Sequence, residues 1–262
     1  MTNNKSVLGF VLIAFTAITV CTTLWLQASI AQEHSYHKFA GDVVILGIPN
    51  FWNVVSNFAF IIIGCIGLYK LHISQSLTVL NGNRGTYSLL FFGVALVGLG
   101  SGYYHWSPNN GTLVWDRLPM TIAFMALFSI IISEYISKVW GRWLLLPFLL
   151  IGIISVAYWH YTELQGQGDL RLYALVQFLP MLLIPIILLC FQPIYNKVSG
   201  YWLLLIAYML SKTLEHFDRH FFEMFGFISG HPLKHLFAAL GIYFLILAYQ
   251  QRKKLPPHAH LK

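Results

Sequence analysis

The sequence predicts an all-α integral membrane protein: a seven-helix bundle with one additional transmembrane helix at its amino terminus, eight spans in all. Three observations predict it. Hydrophobic residues make up 57% and charged residues only 10% of the 262 positions, far from the composition of a water-soluble domain. The apolar residues fall into runs of about 17 to 25, the length that carries a helix across ~30 Å of hydrocarbon. The connections between runs are short, with no linker rich in Pro, Gly or Ser and no room for a separate soluble domain.

The first run, residues 7–27, is longer than the roughly 7–15 apolar residues of a signal peptide, and Lys5 is the only charge before it. It is expected to stay as an anchor, although Ser29-Ile30-Ala31 puts small residues where a signal peptidase could cut. Residues 28–50, with His34, His37 and Asp42, form the longest outer segment and can fold over the outer mouth. Spans follow at 51–70, 87–106, 118–136, 143–160, 172–191, 201–217 and 231–249. The expected organisation is an anchor and outer loop (1–50), a seven-helix catalytic membrane domain (51–250) and a basic cytoplasmic tail (251–262). No internal repeat of the transporter kind is evident.

The formal charge of +7 is distributed as a topology signal, which excludes a nucleic-acid-binding reading. With the amino terminus inside, Lys5, Lys70, Arg84, Lys138, Arg142, Lys197, Arg252, Lys253, Lys254 and Lys262 all fall on the inner side. Lys38, Arg117, Arg171 and Arg219 fall outside, which satisfies the positive-inside rule. The basic tail is expected to touch anionic lipid head groups. Cys21, Cys65 and Cys190 lie singly within spans and imply neither disulfides nor a cysteine metal motif. No obligatory protein partner is expected.

Polar groups inside spans cost a few kcal/mol each at the bilayer centre and turn toward the bundle interior. Here they form stripes. Asn53, Ser56 and Asn57 share one helical face, Ser101 and His105 are spaced i, i+4, and so are His231 and His235. The third span runs outward to His105, the last starts inward from His231, and Asp116 stands just before the fourth, so these groups share one depth near the outer boundary. Two histidines four apart lie about 6 Å apart along a helix, the spacing with which one helix gives two ligands to a zinc ion. His105 would complete a set of three, and three protein ligands with an open fourth position make a catalytic zinc. A single histidine of this kind reads as a satisfied interfacial residue; three, with Ser101 and Asp116 at the same depth, read as a site. Haem fits poorly, because its axial ligands come from different helices and an i, i+4 pair cannot take both faces. The crowded stretch holding Ser211, Lys212, Glu215, His216, Asp218, Arg219 and His220 reads as i, i+4 pairs such as Glu215 with Arg219, or as support for the metal histidines. Glu134 and Lys234 are expected to snorkel or to be paired. Tyr103, Tyr104 and Trp106 read equally as an interfacial belt or as walls of the site.

Taken together, Asn53, Ser56 and Asn57, Ser101-x-x-x-His105, Asp116 and His231-x-x-x-His235 resemble the alkaline ceramidase family. That family belongs to a wider membrane hydrolase superfamily with the adiponectin and progestin receptors and the GPI-lipid remodelling proteins. The likeness covers residues 51–249, the family's seven-helix core, and leaves 7–27 as an added helix. The segment Asp116-Arg117-Leu118-Pro119-Met120 is also similar to the family's at the head of that helix. The resemblance implies that His105, His231 and His235 hold Zn2+ and that Ser101 and Asp116 are the catalytic hydroxyl and carboxylate, with Asn53, Ser56 and Asn57 as a supporting polar face. It implies zinc-dependent hydrolysis of the N-acyl bond of a ceramide-like membrane lipid, releasing a fatty acid and a long-chain base. The eukaryotic ceramidases bind calcium through an acidic amino-terminal cluster ending in a glutamate just before the equivalent of Phe51-Trp52-Asn53. Here that position is Asn50, with only Asp42 and Glu33 nearby, so this part does not carry over and Ca2+ dependence is left open. A bacterial inner-membrane protein with both termini cytoplasmic and its site toward the periplasm is expected, with an ER or Golgi membrane as the alternative. Two other functions share the likeness: a zinc-containing lipid receptor or accessory protein without turnover, and an ester hydrolase of the GPI-remodelling type.

Overall fold

The computed structural model describes residues 4–256; Lys262, counted above among the inner charges, lies outside them. The chain runs through α1 (Asn4–Leu26), a 3-10 turn (His34–His37), α2 (Phe51–Ser56), α3 (Phe58–His72), α4 (Arg84–Trp106), α5 (Asn110–Tyr135), α6 (Lys138–Leu164), α7 (Arg171–Cys190), α8 (Ser199–His216), α9 (Asp218–Phe225) and α10 (Gly230–Gln251). It is an all-α, multi-pass membrane protein. Among the described residues seven helices, counting α2 and α3 as one interrupted at Asn57, are long and apolar enough to cross a bilayer. The eighth expected span, α8, is a helix of 18 residues but is not among them. Its last turns carry Lys212, Glu215 and His216, and Lys212 and Glu215 line the cavity inside the bundle.

The added amino-terminal helix packs chiefly on α7. Phe10 meets Phe191 edge-on with ring centroids 4.9 Å apart, and the far end is tied by Arg171 Nη1 donating to the Gln27 carbonyl at 2.6 Å. Arg171 is itself gripped by Asp169 at 2.7 Å, and that guanidinium holds the Asp169 carboxyl below its ordinary range. The core lies elsewhere, between α3, α4, α5, α7 and α10, around Tyr87, Leu90, Ile130, Ile184 and Leu245.

The fourth span starts eight residues before the expected position 118. Asn109 accepts from the Thr112 backbone N–H at 3.0 Å while Thr112 Oγ1 accepts from the Asn109 N–H at 3.2 Å, a reciprocal cap that nucleates α5 early. Asp116 therefore stands in the second turn of the helix instead of before it.

The end of the bundle opposite the histidines is closed by a buried ion pair. Arg252 and Glu134 lie 2.8 Å apart, each with 2% of its side chain exposed. Glu134 also accepts from Tyr201 at 2.8 Å and from Tyr87, and Arg252 donates to the Thr78 carbonyl at 2.7 Å while stacking on Tyr249 and Tyr195. Glu134 is thus paired, as anticipated. Arg252 departs from the expected lipid-facing tail, because a carboxylate, a carbonyl and two aromatic faces satisfy it better inside the bundle. Removing one partner from such a pair strands a buried charge, at a cost of about 3–5 kcal/mol. Glu134→Ala should lower stability by that order in detergent melts, and Glu134→Ala with Arg252→Met should recover most of it. A double variant as unstable as the single one would show that the pair is not coupled.

Candidate metal and catalytic centre

His105 ends α4, and His231 and His235 occupy the first two turns of α10. Their buried rings converge, with centroids 4.8, 5.0 and 5.1 Å apart. One nitrogen from each lies within 4.8 Å of the others, and His105 Nε2 is 3.3 Å from His231 Nε2. Two nitrogens each 2.0–2.1 Å from a tetrahedral ion sit ~3.3 Å apart, the spacing of the His105–His231 pair, and the three together could hold a metal. A set of imidazole nitrogens suits zinc, copper, iron or nickel and not calcium or magnesium.

Neighbouring groups hold these rings in place. His235 Nδ1 is 2.8 Å from Ser56 Oγ, and the Ser56 hydroxyl donates to the Asn53 carbonyl at 3.2 Å. With that proton committed, Ser56 accepts from His235 Nδ1–H, which leaves the Nε2 lone pair free for a metal. The His231 backbone N–H donates to Asp218 Oδ1 at 2.6 Å, and the Ala40 N–H donates to Asp218 Oδ2 at 3.0 Å. Asp218 thereby fixes the start of α10 and pulls the outer loop across the centre. In that loop Phe39 rests its ring edge-on against His105 and His231, at 4.7 and 4.8 Å. Gly230 permits this junction, since a Cβ there would overlap the Leu214 carbonyl. Asn50 donates from Nδ2 to the His105 carbonyl at 2.9 Å.

The polar face predicted on the first core span is buried, but only Ser56 touches the histidines. Asn57 donates back to the Asn53 carbonyl at 2.7 Å, while both side-chain amide atoms of Asn53 and the Nδ1 of His105 are buried without a partner. Ser101, buried one turn before His105, stands beside the Asp116 carboxylate. Their meeting follows from local sequence. Pro119 cannot donate to the Trp115 carbonyl four residues back, and that carbonyl lies against Gly100, where any Cβ would overlap it. The close approach of α4 and α5 at this point sets the next residue of each, Ser101 and Asp116, side by side.

Ser101, Asp116 and His235 line one end of a cavity of about 340 Å³. Its far walls are apolar: Leu90 and Val94 of α4, Phe124 of α5, Met181 of α7, Leu204 of α8 and Ile242 of α10. A long hydrocarbon chain suits such a space, with the polar groups positioned at its head.

The crowded segment after α8 is arranged otherwise than expected. Glu215 binds Lys212 at 2.7 Å and Lys234 at 2.5 Å, while Arg219 pairs with Glu223 at 3.1 Å. The helix ends at His216 and turns at Phe217, so residues 215 and 219 do not share a continuous face. Lys234 is paired, as foreseen, but into the cavity wall. His216 and His220 are exposed. His37 anchors the outer loop, 3.0 Å from the Tyr104 hydroxyl and 2.9 Å from Asn110 Oδ1. Of the aromatic trio, Tyr104 is 1% exposed and acts as that anchor's partner, whereas Tyr103 and Trp106 are about half exposed, as belt residues are. Sequence does not foresee the Lys212–Glu215–Lys234 triad; two lysines and a glutamate within otherwise apolar helices are the available signal.

Each of His105→Ala, His231→Ala and His235→Ala should abolish stoichiometric metal binding in competition titrations with a chromophoric chelator. Ser56→Ala should weaken it by about 10- to 100-fold. Unchanged metal affinity in the histidine variants would contradict the convergence.

Comparison with curated proteins finds no match. A family model described as Ceramidase matches residues 42–255, which takes in the whole bundle from α2 through α10, the three histidines and the Ser101–Asp116 pair. The chain belongs to the ceramidase family.

Proposed function

We propose that this protein is a zinc-dependent hydrolase of the N-acyl bond of a ceramide-type membrane lipid, with His105, His231 and His235 as ligands and Ser101 and Asp116 as catalytic hydroxyl and carboxylate. One observation carries the reading above all: the Ser101–Asp116 pair and the His235 ring open on the same apolar cavity. Family membership supports the reaction class, amide hydrolysis.

Zinc held by the three imidazoles supplies Lewis-acid activation of the carbonyl and of the attacking water. The rest falls to the chain's own side chains. The apolar walls align the acyl chain so that its carbonyl lies at the polar end. Asp116 accepts a proton as the water oxygen bonds to the carbonyl carbon, and returns it to the nitrogen as the C–N bond breaks. The water oxygen leaves in the fatty acid, and the nitrogen leaves as the amine of the long-chain base. Ser101, beside Asp116, turns its O–H toward the developing oxyanion, an interaction worth about 3–4 kcal/mol in comparable sites.

The proposed orientation has both termini in the cytoplasm and the centre on the outer side. Lys70, Arg84, Lys138 and Arg142, at the helix ends away from the histidines, favour it.

With a long-chain ceramide in mixed micelles and released fatty acid measured by mass spectrometry, Asp116→Asn should lose at least about 10³-fold in kcat with metal content unchanged. Ser101→Ala should lose about 10²- to 10³-fold in kcat with little change in KM. Turnover by Asp116→Asn at the wild-type rate would remove the carboxylate from the reaction.

A further inference from the structure

Among the described residues two arginines are buried, and they are satisfied to different degrees. Arg252, 4% exposed, is fully engaged by Glu134, Thr78 and Tyr87. Arg117, 5% exposed, is not. It follows Asp116 on α5 and lines the same cavity. Its guanidinium lies 4.1 Å from the Trp159 ring centroid and 4.7 Å from that of Tyr173, with Nη2 donating to Gln32 Oε1 at 2.5 Å. Its Nη1 is buried without a hydrogen-bond partner, and among the described residues Arg117 forms no salt bridge. The carboxylate reached through Gln32 is Glu163, and it is taken by the Gln32 N–H, Trp159 Nε1 and Asn110 Nδ2.

The cavity wall as a whole repeats this imbalance. Three cations, Arg117, Lys212 and Lys234, face two carboxylates, Asp116 and Glu215. Glu215 is shared between both lysines, and Asp116 stands beside Ser101. One positive charge is left over in a largely apolar enclosure, and a divalent metal on the adjoining histidines would add to it. Uncompensated charge in low dielectric is costly. A rigid, aromatic-clad guanidinium with free donor capacity is the group best suited to a phosphate or carboxylate.

Building on the proposed amide hydrolysis, we propose that the polar end of the cavity binds an oxyanion carried by the lipid substrate beside its amide, a phosphate or carboxylate, and that Arg117 recognises it. The substrate class is then an anionic N-acyl lipid in preference to neutral ceramide. The carboxylate of the released fatty acid is the other source of the same chemistry, and the test separates the two.

Equilibrium binding to the full-length protein is measured after metal chelation, so that neither turnover nor direct metal–phosphate contact intervenes. The probes are N-oleoyl-sphingosine, its 1-phosphate and oleate. The phosphorylated lipid should bind at least about tenfold tighter than the neutral one. Arg117→Gln should erase that difference, Arg117→Lys should keep most of it, and oleate affinity should change less than about threefold in either. Equal affinity of the wild type for the two sphingolipids overturns the proposal without any variant. So does a preference that survives Arg117→Gln, or an Arg117 dependence confined to oleate, which would assign the residue to the released acid. Metal-replete protein that binds the anionic lipid selectively yet hydrolyses no amide would refute the reaction and leave this recognition standing.

Discussion

The fold depends on one meeting: the last turn of α4 and the first two turns of α10, 126 residues apart at the closest ring nitrogens, bring three imidazoles together. Buried nitrogens 3.3 Å apart are tolerable as a hydrogen bond between one donor and one acceptor, or as ligands to a shared cation. Three such rings in one place are better satisfied by the cation. Much of the half of the molecule around the histidines serves this arrangement. Ser56 sets the tautomer of His235, Asp218 fixes the entry to α10, Asn50 holds the end of α4, and Phe39 covers two of the rings.

The two ends of the bundle treat buried charge in opposite ways. At one end Glu134 and Arg252 satisfy each other completely, with tyrosines and a carbonyl taking the remaining valences. That is a structural bolt, and it leaves nothing over for a ligand. At the other end hydrogen-bonding capacity is left unmet on Arg117, Asn53 and His105, and Arg117 lines a cavity whose far walls are apolar. Folding alone would favour removing those groups, and their retention sets the histidine end apart from the Glu134–Arg252 end.

Much of this was legible in the sequence because membrane helices are strict: the hydrocarbon thickness fixes their length, and polar residues inside them stand out. The i, i+4 spacing of His231 and His235 and the outward end of His105 were enough to bring the three rings to one depth. The start of α5 was misjudged because hydropathy begins at residue 118, whereas the helix is nucleated by the polar cap at Asn109 and Thr112. Glu215 was assigned to Arg219 by helical spacing, which fails across the turn at Phe217. Arg252 was read as a lipid contact because its partner Glu134 is 118 residues away, and local pattern carries no information about such a pair. Arg117 was counted as an outer-side charge; only the aromatic faces of Trp159 and Tyr173, from two other helices, show it to be buried.

X-ray absorption at the zinc edge on the purified, full-length protein shows whether these three imidazoles share a cation. A four-coordinate shell of nitrogen and oxygen at about 2.0–2.1 Å with the outer-shell scattering of imidazole rings is expected, lost in His231→Ala. A sulfur shell near 2.3 Å, or a spectrum unchanged by that substitution, would contradict it.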